Sequence, residues 1–222
     1  MDPSHFAPWA RSRQSRNVEL DRLALPSGRL AVRDVHYLDG PWVELTVPPG
    51  EHRVWSTELD IRSAVNGGDS LFRPAYLSVQ LSDATPSRVS VADDLCHKAS
   101  DPSGSATVDV DLGMVLLNDA DSVSVGDMEA LDESWEQAWE NSEDYAEIYT
   151  AGGAKVITCK TVVERTRCPI VASYDASNQP VAIHIDFGVL GAAQASLRTS
   201  PSRVQRWGAV AGRTFPWLFR QR

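Results

Sequence analysis

The chain has 222 residues, of which 42% are hydrophobic and 23% are charged, and its formal net charge is −9. A chain of this length and composition can bury a sizeable core, which excludes disordered, collagen-like and disulfide-dense proteins. No run approaches the roughly 20 apolar residues that a membrane-spanning helix requires, so we expect no membrane association.

Residues 1–17 predict an N-terminal arm. They contain Arg11, Arg13 and Arg16 but no apolar stretch behind them, so they do not fit a secretory signal peptide. The chain has three cysteines, an odd number without a CxxC pair, which is typical of free thiols in a reducing compartment. We therefore expect a cytoplasmic protein.

Residues 18–195 predict a single β-rich domain. Short segments rich in valine, leucine and aromatic residues alternate with proline and glycine turns, which is the pattern of β-strands. The predicted strands are residues 29–35, 42–47, 51–59, 75–81, 88–92, 107–117, 155–164, 169–174 and 180–189. The composition of Asp175–Gln179 indicates a hairpin loop, so we expect the last two strands to pair antiparallel.

One amphipathic helix is predicted over about residues 127–143. Its apolar residues recur at three- and four-residue steps and form one stripe: Met128, Leu131, Trp135, Ala138 and Trp139. Two tryptophans on this stripe indicate that the helix packs on a sheet face. The predicted fold class is therefore α+β and β-dominated, with mostly antiparallel sheets or a sandwich and at least one helix packed on it.

The acidic residues are concentrated in one part of the chain. Residues 101–149 contain 14 acidic residues and no basic residue. Such a stretch repels itself and stays solvated unless a cation or a basic partner covers it. On the predicted helix we expect five of these residues to bind a basic protein partner: Glu129, Asp132, Glu133, Glu136 and Glu140. A nucleic-acid partner is not expected.

Residues 196–222 predict a C-terminal tail of different character, with six arginines and no acidic residue. The tail also contains Trp207, Phe215, Trp217 and Phe219, and large aromatic side chains are seldom left in water. We expect the tail to dock on the domain. Two alternatives are phosphate binding and docking on another subunit, which would make a homo-oligomer.

Four residues are candidates for acid–base catalysis. His184 and Asp186 are two residues apart on a predicted strand and share one face, where a carboxylate can raise the basicity of an imidazole. The alternative for this pair is the solvent face of a half-buried strand. Asp34 and His36 crowd a predicted strand end, although the neighbouring Asp39-Gly40-Pro41 is also typical of a simple turn.

Two further pairs of aspartates are weak candidates for a metal site. Asp109 with Asp111 and Asp119 with Asp121 flank an apolar strand, and each pair places two carboxylates on one side. Converging carboxylates can hold Ca²⁺ or Mg²⁺, but aspartates at strand ends are also common in turns. The chain contains no P-loop, G-x-G-x-x-G, G-x-S-x-G or H-E-x-x-H motif, and we predict no cofactor.

Several of these segments together resemble a bacterial family, the domain of unknown function family 4241. The segments similar to it are Leu25–Asp34, the Pro-Pro-Gly turn in Val47–Val54, the Asp-x-Gly segment Val110–Asp119, and the closing hairpin Tyr174–Phe187. The chain departs from the family at Glu164–Pro169, where only the proline of a Gly-Asp-Gly-x-Tyr-Pro turn is kept. The resemblance covers about residues 25–190 and implies fold and extent, but no activity.

These observations lead to two functional hypotheses. The first is a non-enzymatic binding protein, of the immunity or regulatory type, that presents its acidic face to a basic protein. The alternative is a cofactor-independent small-molecule enzyme, such as a hydrolase, lyase or cyclase. It predicts that at least two of the four acid–base candidates surround one pocket.

Overall fold

The structure is a computed structural model that describes residues 15–35, 40–60, 72–100, 104–111, 113–123, 144–150, 152–161 and 166–189. The elements within these ranges are thirteen β-strands and one short 3-10 turn, Ala92–Asp94. The strands are β1 (Ser15–Leu25), β2 (Arg29–Asp34), β3 (Val43–Thr46), β4 (Gly50–Asp60), β5 (Phe72–Gln80), β6 (Arg88–Val91), β7 (Cys96–Lys98), β8 (Thr107–Val110), β9 (Met114–Asp119), β10 (Tyr145–Tyr149), β11 (Lys155–Lys160), β12 (Thr166–Tyr174) and β13 (Pro180–Asp186).

The strands form two antiparallel sheets. Sheet one has the order β1-β4-β5-β13-β12-β6. The long strand β12 pairs with β8 along its first half and with β6 along its second half. Sheet two has the order β10-β11-β9-β2-β3-β7. Strands β12 and β13 form the predicted antiparallel hairpin. The Asp175 carboxylate closes its loop by accepting hydrogen bonds from the N–H groups of Ser177 and Gln179.

The two sheets bury their inner faces against each other. Residues two apart on a strand share a face, and on β13 the side chains of Ile183 and Ile185 lie in the main core. Val54 on β4 belongs to the same core, and sheet two contributes Val32 and Leu117. The core of the described part is therefore built by strands from both sheets, as in a β-sandwich.

The predicted α+β class is wrong. The described residues form two antiparallel sheets, and none of their elements is an α-helix. The prediction rested on the spacing of apolar residues in 127–143, whereas in the described residues each sheet covers the inner face of the other. The β-rich character is confirmed. The predicted helix, residues 127–143, falls between Val123 and Asp144, outside the described residues.

A second correction concerns the segment 107–117, predicted as one strand. It forms β8 in sheet one and β9 in sheet two, so the chain passes from one sheet to the other between Val110 and Met114. Gly113 has φ +77°, a left-handed conformation that favours glycine and ends a regular strand.

The domain boundaries can be compared with the structure only in part. The strands of both sheets lie between Ser15 and Asp186, and β1 begins within the predicted arm. Residues 1–14 and the predicted tail, 196–222, lie outside the described residues. The described part of the chain contains no helix that is long and apolar enough to cross a membrane.

Candidate functional site

His184 lies in the middle of sheet one, where three neighbouring strands place polar side chains together. It is on β13, between Ser78 on β5 and Ser173 on β12. Its Nδ1 atom is 2.8 Å from Ser78 Oγ, and its Nε2 atom is 3.2 Å from Ser173 Oγ. Ser173 Oγ–H donates to the Ala182 carbonyl, so Ser173 Oγ accepts a hydrogen bond from His184 Nε2–H, and His184 Nδ1 accepts one from Ser78 Oγ–H.

This serine–histidine–serine group is closed to solvent. The exposed fraction of all three residues is 0%. Burial lowers the pKa of His184 to about 3, because the charged imidazolium would lose its hydration. A neutral ring satisfied on both nitrogens and shielded from water is a structural contact between strands. The alternative of a solvent-facing position is therefore not what the structure shows for His184.

Asp186 is placed two residues further along β13, but its carboxylate has a different partner. Asp186 accepts the backbone N–H of Gly188 at 2.8 Å. Burial raises the pKa of Asp186, and the Gly188 hydrogen bond opposes that shift. The hydrogen bonds of His184 go to serines on the adjacent strands, so the two residues do not act as an acid–base couple through these bonds.

A cavity of about 390 Å³ lies where the end of β2, β8 and the beginning of β12 meet. This volume is within the range of small-molecule sites in proteins. Its lining residues are Asp34, Pro41, Ser100, Asp109, Val110, Asp111, Thr166 and Arg167. The cavity thus combines three carboxylates, one guanidinium and two hydroxyl side chains.

The carboxylates of this cavity already contact groups of the protein itself. Asp34, which is 3% exposed, accepts the backbone N–H of Asp111 at 2.6 Å. Arg167 binds both oxygens of Asp109, at 2.8 and 3.2 Å. The cavity contains one acid–base candidate, Asp34, while His36 lies outside the described residues.

The four weak metal candidates are divided between two places. Asp109 and Asp111 line the cavity, whereas Asp119 and Asp121 lie at the end of β9. Asp121 pairs with Arg29. Among the residues that the structure describes, no group of three or more His, Cys, Asp or Glu side chains is placed to hold a metal ion.

Asp119 has a structural environment of its own. Its carboxylate accepts four hydrogen bonds, from Ser27 N–H and Oγ–H, from the Asp121 N–H and from Ser122 Oγ–H. Burial raises the pKa of Asp119, but these four donors outweigh burial and the net shift is downward. Asp119 therefore holds the turn before β2 against the end of β9.

No family model, curated protein or solved structure matches this chain.

Sequence reasoning missed one cluster of charged and aromatic side chains on the outer face of sheet two. The Trp42 ring lies between Arg33, 4.2 Å from the ring centroid, and Lys98, 3.0 Å from it. Burial lowers the pKa of Arg33, and Glu44 opposes this shift. Arg33 lies on β2, Trp42 directly precedes β3 and Lys98 lies on β7, and no motif in the sequence joins these residues.

The five predicted partner-binding residues lie outside the described residues: Glu129, Asp132, Glu133, Glu136 and Glu140.

Proposed function

We propose that this protein is a non-enzymatic binding protein, of the immunity or regulatory type, that presents carboxylates to a basic protein partner. The distribution of charge carries the proposal. Residues 124–143 contain seven acidic residues and no lysine, arginine or histidine. They contribute −7 to the net charge of −9, and all other residues together contribute −2.

Four acidic residues on either side of this segment contact basic residues of the same chain. Asp121 pairs with Arg29 and Asp144 with Arg73. Similarly, Asp109 pairs with Arg167, and Glu147 lies 3.8 Å from Lys155. These pairs balance charge within the described domain, whereas the sequence of residues 124–143 carries seven acidic residues and no basic one. This supports assigning the partner-binding role to Glu129, Asp132, Glu133, Glu136 and Glu140.

The enzyme alternative receives less support from the described residues. It requires at least two acid–base candidates at one pocket, and among the candidates that the structure describes, Asp34, His184 and Asp186, the cavity is lined by Asp34. His184 is fully buried between two serines. We therefore place binding ahead of catalysis. As part of the same proposal, we place the interaction in the bacterial cytoplasm, since three free cysteines suit a reducing compartment.

The proposal can be tested with a fluorescein-labelled nona-arginine peptide as a probe of the acidic surface. Fluorescence anisotropy would give its dissociation constant at 50 and 200 mM NaCl. The first variant neutralises five acidic residues of the segment: E129Q, D132N, E133Q, E136Q and E140Q. The matched control neutralises five exposed acidic residues of the described domain: E19Q, E51Q, D83N, D121N and E147Q. Both variants change the formal charge from −9 to −4.

We expect the wild-type protein and the control to bind the peptide, with affinity falling about tenfold between the two salt concentrations because exposed charges are screened. The segment variant should lose at least about tenfold in affinity at 50 mM NaCl, which corresponds to about 1.4 kcal/mol. Equal losses in both variants would mean that binding follows net charge alone. That result, or binding insensitive to salt, would contradict the proposal.

A further inference from the structure

We draw no further inference here: the strongest candidate, the cavity where β2, β8 and β12 meet, carries nothing beyond the site already described, because Asp34, Asp109 and Asp111 form an acidic cluster and no second observation within the described residues points to a ligand.

Discussion

Replacing His184 by glutamine should weaken the dependence of folding stability on pH between pH 7 and pH 5. The imidazole is fully buried between Ser78 and Ser173, and burial lowers its pKa from 6.5 to about 3. In the unfolded chain the same ring takes up a proton near pH 6.5. Between these two values the unfolded state binds a proton that the folded state does not, so the free energy of unfolding falls as the pH falls.

The size of this effect follows from the two pKa values. From pH 7 to pH 5, protonation of His184 in the unfolded chain should lower the free energy of unfolding by about 2 kcal/mol. This figure requires only that the folded-state pKa lies below 5. The full difference between pKa 6.5 and about 3 corresponds to about 5 kcal/mol, comparable with the whole stability of a small domain.

Urea denaturation at pH 7 and pH 5 would measure the effect as a difference of differences. Wild-type protein should lose about 2 kcal/mol more than H184Q between the two pH values, whatever their relative stability at pH 7. Carboxylates titrate in both proteins, so their contribution cancels. The control is H97Q, which replaces a histidine whose side chain is 59% exposed instead of buried. If H184Q loses as much stability as the wild type, the buried neutral imidazole is refuted.

Three further predictions concern stability and thiol reactivity. D119A should lower the free energy of unfolding by about 2–4 kcal/mol, because four hydrogen-bond donors lose their acceptor. D121A removes an exposed ion pair and should lower it by less than about 1 kcal/mol. Equal losses for the two variants in urea denaturation would contradict this prediction. G28A should lower the free energy of unfolding by about 2–3 kcal/mol, because Gly28 has a positive φ and a Cβ there would lie 3.0 Å from the Val47 carbonyl oxygen. G153A places its Cβ in open space and should lower it by only about 1 kcal/mol. A thiol reagent at pH 8 should modify Cys96 alone in the folded protein and all three cysteines in urea. The reason is that burial raises the pKa of Cys159 and Cys168. Rapid reaction of all three thiols without urea would refute the burial of these two residues.

The strands were largely predictable because most have apolar residues within short runs bounded by turns. The hairpin that joins β12 to β13 is an example, since Asp175–Gln179 has a turn composition and the flanking segments have alternating apolar residues. The edge strands β1, β7 and β10 were not predicted. β7 has only three residues, and the burial of β10 is confined mainly to Ile148, so neither carries a clear alternating pattern.

The environment of the candidate site residues could not be predicted, because it depends on strand order rather than on spacing along the chain. Ser78 precedes His184 by 106 residues, and the contact exists because β5 and β13 are neighbours in sheet one. In the same way, Asp34 meets Asp111 only because β2 and β8 approach each other from different sheets. The spacing of His184 and Asp186 can be read from the sequence, but the hydrogen-bond partners of His184 lie on the neighbouring strands β5 and β12 and could not be predicted from that spacing.

The pairing of charges explains why total acidity is a poor guide to a binding surface. Ion pairs on the surface contribute little to stability, but each one offsets the charge of a carboxylate that a partner would meet. In this chain Asp109, Asp121 and Asp144 belong to the acidic stretch by sequence and to arginine pairs by structure. A binding hypothesis based on all of residues 101–149 would therefore assign a role to carboxylates that form ion pairs within the domain. Leaving those carboxylates out restricts the hypothesis to residues 124–143, which contain seven acidic residues and no basic one.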